Sequence, residues 1–308
     1  MRKTSLDCVF ELAKKDKRVL FIGSDLGPGV LENFKKELPD QFFMEGVAEQ
    51  FIIGMSAGLA KEGFIPYVNT IATFITRRCY EQVAIDLCLH DLPVRLIGNG
   101  GGLVYAPLGP THLALEDLSL MKSLPNMTII SPCDSLEMRS LMHQTLNYMH
   151  PIYIRLGRGG EKIITNDGGK IEIGRGVLFK TPKDVLIIST GTMTQKALEV
   201  SEKTVSENIH CGVLHLHTIK PIDVEGIIKY SKNIKLIVTI EEHFRSGGLG
   251  SSILEVINDH FGENSPRVIR IGVENKFPNE YGSQDTLQHS VGLDAEEIKK
   301  KIFNFFKK

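Results

Sequence analysis

The chain of 308 residues has no surplus of either charge, with 36 Lys+Arg against 37 Asp+Glu and a formal net charge of -1. No basic block runs longer than a few residues, so the chain has no electrostatic footprint for nucleic acid or an anionic membrane. Long hydrophobic runs are missing as well. The longest are strand-sized, such as residues 19–22, and residues 1–7 carry no apolar core. Nothing therefore marks secretion or membrane spanning, and a cytoplasmic location is expected. The five cysteines, Cys8, Cys79, Cys88, Cys133 and Cys211, form no Cys-x-x-Cys pair. An odd number without that spacing fits neither a disulfide framework nor a zinc knuckle, and the residues read as reduced thiols, mostly in the core. Also absent are an internal repeat, a low-complexity segment, a His-x-x-x-His pair and a dinucleotide or Walker phosphate loop.

What is present is alternation. Short β-branched runs at residues 19–25, 65–69, 94–98, 127–131 and 152–156 are separated by helical patterns at 46–61, 73–89, 113–122 and 136–149. This order predicts crossover units on a mostly parallel sheet covered by helices. At residues 157–183 the pattern lapses into a Gly- and charge-rich stretch, and it then restarts with apolar runs at 185–189, 213–216, 236–240 and 268–271. The fold class is therefore α/β with two domains, 1–160 and 184–308, joined by a linker at 161–183.

Three features carry candidate chemistry. Glu49 lies in the first turn of a helix whose next ten residues are uncharged. A carboxylate beside such an apolar face is desolvated and can hold a proton near neutrality, whereas simple capping of the helix N-terminus explains its position equally well. Gly98–Gly102 follows a strand, where glycines either let backbone approach a ligand or serve a turn, while residues 247–250 read as a packing turn. His112 sits on a loop before a helix, next to Glu116 and Asp117. The lysines at the C-terminal end read as a solvated helix end.

Taken together, Ser24-Asp25-Leu26, Gly46-Val47-Ala48-Glu49-Gln50, Ala72-Thr73-Phe74, Arg78-Cys79-Tyr80-Glu81-Gln82 and Gly109-Pro110-Thr111-His112 resemble the pyrimidine-binding domain of transketolases. Thr218-Ile219-Lys220-Pro221-Ile222-Asp223, Glu241-Glu242-His243 and Gly247-Gly248-Leu249-Gly250 resemble the C-terminal domain of the same family. In order and spacing the chain is most similar to the C-terminal subunits of split transketolases, with deoxyxylulose-phosphate synthases as near relatives. The resemblance implies thiamine diphosphate as cofactor. Glu49 would share a proton with its aminopyrimidine ring, favouring the imino form that deprotonates the thiazolium carbon. Phe74 would stack on that ring. Asp25 would lie near the cofactor, His112 would contact the sugar, and Arg155 would bind a substrate phosphate.

Departures from the family pattern are informative. The usual second substrate histidine falls at Gly100, the usual acidic pair at Pro107 and Leu108, a phosphate-holding serine at Gly29, and a common tyrosine at Arg77. Lost hydroxyl partners put the standard pentose-phosphate substrates in doubt. No Gly-Asp-Gly occurs, so the Mg2+ or other divalent ion that holds the diphosphate is expected on a second polypeptide, an N-terminal transketolase subunit, in an α2β2 assembly. The expected reaction is transfer of a two-carbon ketol unit between a ketose and an aldose, with phosphorylated sugars expected by the resemblance. The alternatives are a 2-oxo acid dehydrogenase β subunit, a deoxyxylulose-phosphate-synthase-like enzyme and a non-catalytic homologue.

Overall fold

The computed structural model describes residues 1–23, 31–166 and 169–307. Its first domain is built from β1 (Val19–Gly23), β2 (Phe42–Met44), β3 (Ile65–Ile71), β4 (Arg95–Asn99), β5 (Thr128–Ile130) and β6 (Ile152–Leu156), with α1 (Arg2–Lys15), α2 (Glu32–Glu37), α3 (Glu49–Lys61), α4 (Tyr80–Gln82), α5 (Asp117–Lys122) and α6 (Ser135–Thr145). The later part of the chain adds β7 (Val177–Lys180), β8 (Val185–Ser189), β9 (Cys211–His215), β10 (Thr218–Lys220), β11 (Leu236–Phe244) and β12 (Arg267–Val273). Its helices are α7 (Met193–Lys203), α8 (Val224–Ser231), α9 (Leu249–Phe261), α10 (Gln284–Ser290) and α11 (Ala295–Phe306).

Strands β1, β4 and β6 are buried along their whole length. Such two-sided burial is what their largely apolar character demands, because helices cover both faces of a parallel sheet. The first sheet has the order β10-β5-β6-β4-β3-β1-β2 and the second β12-β11-β8-β9-β7. Strand β10 belongs by sequence to the second domain, yet it pairs antiparallel with β5 of the first sheet. Strand β7 lies inside the segment expected to be a linker and closes the second sheet as an antiparallel edge against β9.

The helix expected over 73–89 is not regular. Residues Phe74–Arg78 and Val83–Cys88 are π-wound on either side of α4. The carbonyl of Phe74 accepts from the Cys79 thiol, five residues on, at 3.4 Å. Widened turns of this kind recur at functional sites, where they re-aim side chains.

Candidate active site

Phe74 follows the carboxyl end of β3, Gly100 and Tyr105 follow β4, and Arg158 follows β6. Open α/β sheets bind ligands along this edge. Glu49 is the first residue of α3 and is buried, at 3% exposure. Its Oε2 receives the Arg78 guanidinium at 2.7 Å, and the same guanidinium lies 4.3 Å from the centroid of the Phe74 ring. Glu49 is buried beside the apolar helix and is also ion-paired, a partner the sequence reading did not name. Arg78 lies four residues past Phe74, a spacing at which side chains share one helix face. A flat cationic fork of N–H donors therefore sits on an aromatic face and against a carboxylate, a place whose shape and chemistry suit a planar aminopyrimidine.

The loop carrying His112 is tied to this segment. Thr73 Oγ1 donates to the His112 carbonyl at 2.9 Å, Arg77 donates to the Thr111 carbonyl at 3.1 Å, and Arg77 pairs with Glu116 at 3.0 Å. The His112 and Phe74 rings meet edge-on with centroids 5.2 Å apart. Glu49, Phe74 and His112 are thereby brought to one place. Asp25 and Gly29 lie outside the described residues.

Two cavities adjoin there. One, of about 670 Å³, is lined by Phe74, Arg77, Arg78, Thr111, His112 and, from the second domain, Phe277. The other, of about 870 Å³, is lined by Arg2, Asn99, Gly100, Tyr105, Arg158 and Gln284 among others, with Pro107 and Leu108 also on its wall. Tyr105 and His112, one from each, have ring centroids 6.5 Å apart. Gly100 has φ +77°, and a Cβ there would run into the Tyr105 ring. The space of the absent histidine is filled by Tyr105, a residue that sequence reasoning passed over. Among the described residues the buried Asn99 Oδ1 has no hydrogen-bond partner.

Arg155 is a correction. It is 7% exposed; its Nε and Nη2 grip Asp117 at 2.7 and 3.0 Å, and Nη2 also reaches the carbonyls of Ala114 and Glu242. With those donors committed across the domain interface, the side chain is part of a buried ion pair rather than a phosphate clamp. Arg158, three residues on and exposed, lines the larger cavity instead. Its signal was in the sequence, a cation between glycines just past a strand's carboxyl end. The glycines after β4 are held by backbone hydrogen bonds: the N–H groups of Gly100 and Gly101 both go to the Leu156 carbonyl, and that of Gly102 to Ala114.

Glu241, Glu242 and His243 are buried where the domains meet. Glu241 accepts from the N–H groups of Leu249 and Gly250 at 2.7 and 2.8 Å, and a Cβ on Gly248 would collide with it. The Gly-rich turn is therefore a packing turn that admits a carboxylate to the start of α9. Burial pushes Glu241 up to about 7 and His243 down to about 4.

The first 160 residues match the transketolase pyrimidine-binding domain and residues 174–298 the transketolase C-terminal domain. The chain belongs to the transketolase family. It is 34% identical over 300 residues to a 6-deoxy-6-sulfo-D-fructose transketolase subunit of Clostridium sp., covering 97% of this chain and 92% of that one. It is 35% identical over 309 residues to one of the subunits of an apulose-4-phosphate transketolase from Phocaeicola vulgatus, covering 100% and 97%. A split-gene transketolase solved as an inactive beta4 tetramer is 32% identical, with a TM-score of 0.90 and coverage of 98% and 97%. The chain is thus a transketolase-like transferase subunit, of a family whose cofactor is thiamine diphosphate. Among the described residues no helix is long and apolar enough to cross a membrane.

Proposed function

We propose that this chain is the C-terminal subunit of a two-chain transketolase that moves a two-carbon ketol unit from a ketose to an aldose carrying an anionic group. The observation that carries the reading is the stack of Phe74, Arg78 and Glu49. When bound, thiamine diphosphate supplies the nucleophilic carbon that accepts the ketol unit. In this reading Arg78 yields its place, Phe74 offers a face to the aminopyrimidine, and Glu49 holds the proton at the ring nitrogen. His112 stands at the mouth of the same cavity to contact the sugar, and Arg158 with Arg2 faces the substrate's anionic end.

The diphosphate and its divalent ion would be held by an N-terminal partner subunit in an α2β2 assembly. The surface around Glu49 supports a partner there: Val47 is 72% and Phe51 59% exposed, large apolar side chains on the rim of the site. The test is ketol transfer measured on this chain, on the partner and on their mixture. Activity is expected in the mixture alone, and Glu49→Gln is expected to lower turnover by about 10² to 10⁴ without moving the melting temperature. Full activity of the single chain would overturn the two-chain reading. Retention of more than a few per cent by Glu49→Gln would overturn the role given to Glu49.

A further inference from the structure

Away from this site, Cys133, Glu137 and His215 meet in the interface between the domains. Cys133 leads into α6, Glu137 lies in its first turn, and His215 ends β9. All three are fully buried, and their donor atoms lie within 4.8 Å of one another. Glu137 Oε2 accepts from the Cys133 N–H at 2.7 Å and meets His215 Nε2 at 2.9 Å. Thr194 Oγ1, 2.7 Å from His215 Nδ1, fixes that ring so that Nε2 faces the carboxylate.

Two buried atoms here have no partner among the described residues: the other carboxylate oxygen, Glu137 Oε1, and Nε2 of His217. His217 is two residues along from His215, its Nδ1 is engaged by Thr218 Oγ1 at 2.9 Å, and the two rings lie 5.9 Å apart. Unsatisfied polar atoms at such depth are costly and uncommon. The ketol transfer proposed above uses neither of them.

We propose that Cys133, Glu137 and His215 bind a divalent d-block cation of the zinc class. A thiolate, an imidazole and one carboxylate form a set that selects zinc and its neighbours over magnesium. Bonds of about 2.0 to 2.3 Å to such an ion require donor atoms roughly 3 to 4 Å apart, a spacing within the observed envelope. Thr194 is then an outer partner that orients a ligating histidine. Uptake of M2+ breaks the Cys133 S–H bond and forms S–M, the proton that His215 Nε2 directs at Glu137 moves to Nδ1 where Thr194 Oγ1 can accept it, and one proton is released to solvent, so oxidation states do not change. The ion would pin α6 of the first domain to β9 of the second, and it is separate from the divalent ion of the cofactor.

The test is a Co2+ titration of the chelator-treated full chain, read by absorption and by proton release. One Co2+ per chain is expected, with a thiolate-to-cobalt charge-transfer band that Zn2+ abolishes. Thr194→Val should weaken binding by about 10- to 100-fold and keep the band. Cys133→Ser should remove the band while circular dichroism stays unchanged. Should that variant not fold, His215→Gln carries the same test, because its amide can still donate to Glu137. A folded wild-type chain that shows no band at saturating Co2+ would overturn the site, as would a band that survives Cys133→Ser.

Discussion

Arg155 and Arg158 differ by three residues and by nearly everything else. The first holds a buried carboxylate, Asp117, that Tyr153 also contacts, whereas the second lines an open cavity. Arg155→Met leaves Asp117 charged and unpaired, so a loss of about 3 to 5 kcal/mol is expected in thermal melts. Arg158→Met should leave the melt unchanged and lower kcat/KM for an anionic sugar roughly 10- to 100-fold, the range for one charged hydrogen bond. Kinetics and melts on the reconstituted enzyme check both, and the reverse pattern would return the substrate to Arg155. At this scale the sequence was legible where a residue's position follows from its element. Glu49 opens a helix and Phe74 follows a strand, so both could be placed. The contact of Arg78 with Phe74 was open to the same reasoning, since residues four apart share a helix face, and was missed; Tyr105 could not be placed, because its position depends on the space above Gly100.

Strand β11 reads in sequence as ending near Ile240, where its apolar run stops, yet it continues through Glu241, Glu242 and His243 to Phe244. Charge does not end the strand because backbone donors from α9 and from Leu103 satisfy the carboxylates. Its two titrating neighbours oppose each other. Glu241 is raised from 4.5 to about 7 by burial, so the folded chain binds the proton more tightly and stability falls as pH rises across that window. His243 is lowered from 6.5 to about 4, chiefly by burial, and its Nε2 accepts from the Ser119 N–H. The folded chain sheds that proton first, so stability rises with pH from about 4 to 6.5. Each effect is on the order of 3 kcal/mol over its window, and between about 4.5 and 6.5 they offset. Between about pH 4.5 and 6.5, Glu241→Gln should therefore uncover a rise of melting temperature with pH, and His243→Asn should uncover a fall. Parallel curves for the two variants would contradict the pairing.

Two domains were legible from the alternation and its lapse, but their independence was not. The run Thr218–Lys220 is not among the apolar runs of the second half, and only the open edge of β5 explains where it goes. With β10 shared and Arg155, Asp117 and Glu242 buried between the halves, calorimetry should show one cooperative transition whose van't Hoff and calorimetric enthalpies agree. Two resolved transitions would mean that the halves unfold separately. The shared strand also sets a clock on synthesis. The first domain's residues leave the ribosome with Ile129 and Ile130 on an unpaired edge, and at about 5 to 20 residues per second the strand that covers them arrives several seconds later. Until then the nascent chain carries a sheet edge able to pair with a neighbouring copy. A fragment cut at the Gly-rich stretch after residue 157 would keep that exposed edge permanently.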